Sequence, residues 1–191
     1  MSNTRRYIQL SRRINTIENA YLPAVNPLGN YSSKQQDDLR AYLLLVHAEI
    51  EAYFEEISEN KAKSAFRYWE LNRTKSNVLL ALVSFCGNSF TDQELETRIN
   101  YALRSYIQKL KKNHGIKERN LLDILLPVGI EYSSIDTTWL NTMTSFGANR
   151  GEVAHSTASV QQPLDPVILK NSVTLILAEI NNIDKRIKAL K

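Results

Sequence analysis

The apolar residues of this chain recur every three or four positions, and this spacing restricts the possible folds more than any other feature. Near the start of the chain, Tyr7, Leu10, Ile14, Ile17 and Tyr21 follow it. Such spacing places one apolar stripe along a helix. No stretch of the sequence shows the sustained alternation of apolar and polar residues that is typical of strands. The pattern therefore predicts an all-α protein.

Further helices are predicted along the rest of the chain. The longest runs from about Gln35 to Asn72 and is expected to bend near residues 58–61, and a short apolar helix runs from Ser76 to Cys86. Residues that favour helix starts mark three others, namely Thr91 with Glu94, Asp136, and Asp165 with Pro166. The connections are short. We therefore expect a single domain over residues 1–191, a bundle of at least five helices.

The composition narrows the class of protein and its location. Apolar residues make up 43% of the chain and charged residues 23%, as in a soluble globular domain. All apolar runs are far shorter than the ~20 residues that cross a bilayer, and the first residues lack the apolar stretch of a secretory signal. The single cysteine, Cys86, cannot form a disulfide within the chain. We therefore expect no membrane association and a cytoplasmic location.

The sequence lacks the patterns of common cofactor and metal sites. The six glycines are scattered singly, so no phosphate-binding glycine loop occurs. The three histidines, His47, His114 and His155, lie far apart, without the spacing of zinc ligands. We expect no cofactor and no metal. The net charge of +4 is compatible with a polyanionic partner but does not identify one.

One short segment combines an arginine and a histidine between two predicted helices. Cleaving RNA without a metal needs a group that transfers a proton near neutral pH, which suits histidine, and a fixed cation at the phosphate, which suits arginine. Arg150 and His155 are the candidates. Because residues five apart on a regular helix point about 140° apart, we expect Arg150 at a turn flanked by Gly147 and Gly151, with His155 on the following helix. Alternatively, both groups face a second copy of the chain.

Other basic residues are compatible with plainer interpretations. Arg40 and His47 have a similar spacing, but His47 lies beside an apolar stripe and is interpreted as a hydrogen-bonded packing residue. A basic strip on the first helix is interpreted as a solvated face. It consists of Arg5, Arg6, Arg12 and Arg13.

The segment Ala148-Asn-Arg-Gly-Glu-Val-Ala-His-Ser156 resembles the Arg-x4-6-His motif of HEPN domains. Residues 38–57, Asp-Leu-Arg-Ala-Tyr-Leu-Leu-Leu-Val-His-Ala-Glu-Ile-Glu-Ala-Tyr-Phe-Glu-Glu-Ile, are similar to the long early helix of the variant named RiboL-PSP-HEPN. The resemblance covers roughly residues 5–190. It implies a helical bundle of the HEPN type and a metal-independent endoribonuclease, usually of toxin-antitoxin or anti-phage systems. Members commonly form homodimers in which two Arg-His pairs line one cleft.

The resemblance also implies roles for individual residues. Arg150 would hold and polarise the phosphate, and His155 would act on the proton or stabilise the pentacovalent intermediate. Glu51 is the best match to a carboxylate that the family often carries on the early helix, with Glu49 in reserve. Many members have Asn, Asp or His directly after the arginine, where this chain has Gly151. Either cleavage is weaker here, or Asn149 takes over that polar role.

Three functional hypotheses follow. The first is a dimeric ribonuclease, a toxin or defence effector, with RNA as substrate and a cognate antitoxin or sensor protein as a further partner. The second is a HEPN-like module that binds RNA or a protein without cutting, which Gly151 favours. The third is an unrelated helical scaffold in which Arg150 pairs with a carboxylate. A basic stretch either guides RNA or is a solvated helix end. Its residues are Lys109, Lys111, Lys112, Lys117 and Arg119.

Overall fold

The structure is a computed structural model that describes residues 2–87, 94–155 and 162–191. Over these ranges the chain forms seven α-helices and two short 3-10 turns, without any strand, which confirms the prediction of an all-α bundle. The helices are α1 Arg5–Tyr21, α2 Ser33–Asn72, α3 Asn77–Cys86, α4 Leu95–Lys111, α5 Glu118–Leu125, α6 Thr137–His155 and α7 Pro166–Ala189. The 3-10 turns are Leu126–Val128 and Tyr132–Ser134.

Helix α2 forms the centre of the bundle and contacts all six other helices. It begins at a capping box in which Ser32 and Gln35 satisfy each other's backbone N–H groups. It ends at Arg73, whose φ of 53° lies in the left-handed region. The helix is unbroken through residues 58–61, where a bend was expected, and Ser58 is fully buried there.

Apolar stripes from all seven helices meet around α2 and form the core. Each fully buried aliphatic or aromatic side chain contributes about 1.5–3 kcal/mol to folding. A buried carboxylate joins three of the helices, because Asp184 of α7 accepts hydrogen bonds from the Thr4 backbone N–H at 2.8 Å and from the Tyr53 hydroxyl at 2.8 Å. The Thr4 hydroxyl also donates to this carboxylate, at 2.5 Å. The start of α1 is thereby fastened to α2 and α7.

Two of the predicted helix starts are confirmed by their caps. Asp136 Oδ1 accepts two backbone N–H groups at the start of α6, at 2.7 and 3.2 Å. Asp165 Oδ1 does the same for α7, at 2.7 and 3.0 Å. Thr91 of the predicted capping box lies outside the described residues, and Glu94 at the start of α4 makes no side-chain capping bond. Among the helices that the structure describes, none combines the length and apolarity needed to cross a membrane.

Candidate functional site

Arg150 and His155 lie on the same helix. The prediction of a turn at Arg150 is wrong. Helix α6 continues through both Gly147 and Gly151 to His155, and neither glycine has a positive φ. A glycine inside a helix costs only about 0.5–1 kcal/mol relative to alanine, so tertiary packing readily holds both in α6. The side chains of Arg150 and His155 therefore point about 140° apart.

Arg150 is half-buried, and its charge acts on two residues of α2. Burial and, second, the Arg150 charge lower the pKa of His47 to about 4. The pKa of Glu51 is raised by its burial and by the charge of Glu55, while Arg150, His114 and a hydrogen bond from the Gly115 N–H oppose this rise. Arg150 thus lies close to His47 and Glu51, where α2 faces α6.

His47, Glu51 and Glu55 share one face of α2, because they follow each other at intervals of four residues. His47 Nδ1 lies 3.6 Å from Glu51 Oε2. Since burial keeps the pKa of His47 near 4, its imidazole is neutral at neutral pH and the contact is not an ion pair. His47 Nδ1 is buried and has no hydrogen-bond partner among the residues that the structure describes. His47 is thus buried, as expected, but it lies at the edge of the site.

The loop between α4 and α5 is attached to this face of α2 through Asn113. Its amide nitrogen donates to Glu55 Oε1 at 2.8 Å and lies 3.4 Å from Glu51 Oε1. The same nitrogen donates to the carbonyl of Gly115 at 3.0 Å, and Asn113 Oδ1 accepts from the Asn120 amide at 2.9 Å. This network holds the loop against both carboxylates.

The next two residues of this loop, His114 and Gly115, have different environments. Gly115 is buried, and its backbone N–H bonds to Glu51. It lies beyond α4, which ends at Lys111 with Lys112 at its C-cap. The His114 side chain is exposed to solvent, and it is close enough to Glu51 to act on its pKa.

Helix α6 packs against the same loop at Gly147. A Cβ atom at Gly147 would lie 3.1 Å from Lys117 Cγ, a distance at which the neighbour would have to move. The Glu118 N–H donates to the Thr144 hydroxyl at 3.1 Å, which adds a second link between the loop and α6. Arg150 lies about one helical turn beyond Gly147. The absence of a side chain at Gly147 therefore lets α6 approach the loop that carries His114.

The remaining predicted site residues lie elsewhere. His155 is exposed at the end of α6. Asn149 is also exposed, and it lines a cavity of about 330 Å³ together with Val153 and Ile168, near the start of α7. Glu49 forms an ion pair with Arg13 at 3.1 Å. Of the two carboxylates considered, only Glu51 lies close to Arg150.

The basic residues flanking the loop are mainly exposed. Lys109 is paired with Asp123 at 2.8 Å. The other four members of the predicted basic stretch are solvent-exposed, and they are Lys111, Lys112, Lys117 and Arg119. Their exposure is compatible with both interpretations of this stretch.

The basic strip of α1 and Arg40 take part in surface ion pairs. In the strip, Arg6 pairs with Glu56 at 2.5 Å and Arg13 with Glu49, whereas Arg5 and Arg12 are exposed. Arg40 pairs with Asp37 at 2.9 Å.

The contributions of Asn113, His114 and Glu55 to this site were not predicted from the sequence. One local signal was available, because the interval of four between Glu51 and Glu55 places them on one helix face. Nothing in the local sequence connects them with a loop about 60 residues later. Among the described residues, no three His, Cys, Asp or Glu side chains cluster as they would around a metal ion. The arrangement offers a half-buried cation, a carboxylate of raised pKa and an exposed imidazole, which suit phosphate binding and proton transfer.

Comparison with known proteins gives a family match over most of the chain. The model of the family described as RiboL-PSP-HEPN matches residues 8–189, a range that includes Arg150, His155 and Glu51. No curated protein and no solved structure matches the chain. The family match confirms the resemblance found in the sequence, and the all-α bundle is consistent with it. The chain belongs to the RiboL-PSP-HEPN family.

Proposed function

We propose that this protein is a metal-independent endoribonuclease of the HEPN type that cleaves RNA with Arg150 and His155. The observation that carries this proposal is the position of Arg150, which is half-buried beside the carboxylate of Glu51 within the matched family region. A guanidinium held in a partly desolvated cleft binds a phosphate more strongly than one in open water. The carboxylate of Glu51 lies close enough to interact electrostatically with this cation.

The proposed reaction is an in-line attack of a ribose 2′-hydroxyl on the adjacent phosphorus. The bond from the 2′-oxygen to phosphorus forms, the bond from phosphorus to the 5′-oxygen breaks, and a 2′,3′-cyclic phosphate and a 5′-hydroxyl result. Arg150 binds the non-bridging oxygens, where negative charge builds up in the transition state. His155 takes up the proton of the 2′-hydroxyl, because its imidazole can act as a base near neutral pH.

The geometry of α6 favours a homodimer as the active form. Because Arg150 and His155 point about 140° apart on one helix, a single copy does not present both to the same phosphate. In a two-fold dimer, His155 of one copy reaches the Arg150 of the other. Exposed apolar residues next to this region of α6 supply a contact surface. They are Ile168, 66% exposed, and Leu175, 64% exposed and two turns further along α7.

The test is cleavage of single-stranded RNA in the presence of EDTA. Arg150→Ala and His155→Ala should each lower the rate at least about 100-fold without lowering the melting temperature. Arg12→Ala, which removes an exposed arginine from α1, should leave the rate unchanged. A wild-type protein that cleaves no RNA, together with a double variant as toxic to cells as wild type, would contradict the proposal.

A mixing experiment tests the composite site of the dimer. When inactive Arg150→Ala and His155→Ala proteins exchange subunits, half of the dimers are mixed, and each mixed dimer regains one intact pair. About a quarter of the wild-type activity should therefore return if the pair forms across the two-fold axis. If each copy carries its own complete site, no activity returns.

A second candidate is a HEPN-like module that binds RNA or a protein partner without cutting. It is favoured by Gly151, because a glycine and not a polar residue directly follows Arg150. RNA that is bound but remains whole, with binding that survives both substitutions, would support this candidate. We further propose a cytoplasmic toxin or defence role controlled by an antitoxin or sensor protein, which growth assays with the Arg150→Ala variant would test.

A further inference from the structure

RNA cleavage by acid-base catalysis needs two proton transfers, and the family motif supplies one histidine in each copy. One group must take the proton of the attacking 2′-hydroxyl, and another must give a proton to the departing 5′-oxygen. The following inference rests on the proposed ribonuclease function and concerns the second of these groups.

His114 is placed at the site by the residues on either side of it. Asn113 donates to Glu55 at 2.8 Å, and the Gly115 N–H bonds to Glu51, so the backbone around His114 is held on the carboxylate face of α2. The imidazole itself is exposed and can reach a bound RNA. The backbone of His114 is thus held beside the site, within reach of a ligand bound there.

Helix α6 places Arg150 on the other side of the same loop. The close contact between Gly147 and Lys117 brings α6 against the segment that carries His114. Both Arg150 and His114 also act electrostatically on Glu51. A phosphate bound by Arg150 would therefore lie within the region that the His114 side chain can sample.

We propose that His114 is a further catalytic residue of this site and acts as the general acid. Its imidazolium gives a proton to the 5′-oxygen as the bond from phosphorus to that oxygen breaks. His155 takes the proton of the 2′-hydroxyl as the new bond to phosphorus forms. One proton leaves and one enters the two imidazoles, so the step balances without a metal or any other reactant.

Charged groups of both signs surround the loop that carries His114. Glu51 and Glu55 face this loop from α2, and Glu55 accepts a hydrogen bond from Asn113. Arg150 faces it from α6, and Lys112 and Lys117 lie on its own segment and are exposed to solvent. Solvent screens these lysines more than it screens the partly buried carboxylates.

No other described side chain at the site suits this role as well. His47 is 1% exposed and cannot contact RNA directly. The carboxylate of Glu51 is already engaged by the Gly115 N–H and lies next to the Asn113 amide. The ordinary pKa of a lysine, about 10.4, makes it a poor proton donor in the neutral range.

The test compares His114→Gln with Arg12→Gln, a control that removes an exposed charged side chain of α1 outside this loop. Steady-state RNA cleavage is measured from about pH 5 to about pH 9. His114→Gln should lower kcat about 100-fold with little change in KM, and the fall of the wild-type rate at high pH should disappear. Arg12→Gln should leave kcat and the shape of the pH profile unchanged.

A substrate with an activated leaving group separates the acid role from a structural one. The 4-nitrophenyl ester of uridine 3′-phosphate needs no proton on its leaving oxygen, so His114→Gln should cleave it as fast as wild type, whereas His155→Ala should not. Equal losses on both substrates, or a change in KM alone, would overturn the acid role. If His114→Gln cleaves RNA normally while Arg150→Ala is inactive, this inference is overturned and the proposed function stays intact. A wild-type protein that cleaves neither substrate would overturn both.

Discussion

Acid is expected to destabilise this protein through His47. In the folded chain, burial and then the Arg150 charge lower the pKa of His47 from 6.5 to about 4, whereas in the unfolded chain it has its ordinary value of about 6.5. Between these two pH values the unfolded chain binds more protons than the folded one. The stability due to neutral His47 is therefore present above about pH 6.5, is lost as the pH falls towards 4, and changes little below that.

The size of this effect follows from the two pKa values. The two pKa values of His47 differ by about 2.5. Once the pH lies below both of them, the free energy of unfolding has fallen by about 3 kcal/mol. At pH 5 the unfolded chain is almost fully protonated at this site and the folded chain hardly at all, so about 2 kcal/mol is already lost. Such a loss is large beside the ~5–15 kcal/mol by which domains are usually stable.

The assay is urea unfolding of wild type and His47→Gln at pH 7 and pH 5, followed by tryptophan fluorescence. The difference between the two proteins isolates His47 from Glu51, whose raised pKa contributes with the opposite sign. Wild type should lose about 2 kcal/mol more than the variant between these pH values. An imidazole titration by NMR should place the pKa of His47 near 4. Equal losses in both proteins, or a pKa of 6.5, would refute the reasoning.

Three further predictions concern packing. Tyr53→Phe removes a donor to the buried carboxylate of Asp184 and should lower the free energy of unfolding by about 1–3 kcal/mol, and an unchanged urea midpoint would contradict that. Gly151→Ala meets no atom within 4 Å and should raise the free energy of unfolding by about 0.5–1 kcal/mol. Gly147→Val should instead push Lys117 away and lower RNA cleavage, and full activity in this variant would show that the contact is dispensable.

The helices were predictable because their signals are local. The interval of three or four between apolar residues depends only on helix geometry, and the Asp136 and Asp165 caps act on backbone N–H groups two and three residues away. The same local signals predicted a turn at Arg150 that the structure does not contain, and they suggested an irregularity near residues 58–61, where α2 is continuous. In both places, packing against the rest of the bundle keeps the helix continuous.

Part of the candidate site was predictable because its residues carry distinctive chemistry. Arg150 and Glu51 were identified from the sequence, and the structure brings them together between α2 and α6. His155 was identified in the same way, but its direction on α6 could not be derived until that helix was known to be continuous. The buried state of His47 was expected from its apolar neighbours and is confirmed.

By itself the sequence determined the family, the helical class of the fold and the arginine on which the site depends. Only the tertiary structure decided the neighbours of that arginine. Asn113 contacts Glu51 across about 60 residues of chain when the loop packs on α2, and the same packing brings His114 near this carboxylate. Helical periodicity describes which face of a helix is apolar, but it carries no information about which distant segment covers that face. Arg150 and His155 therefore remain the predicted pair, now on divergent faces of one helix, with His114 beside Glu51.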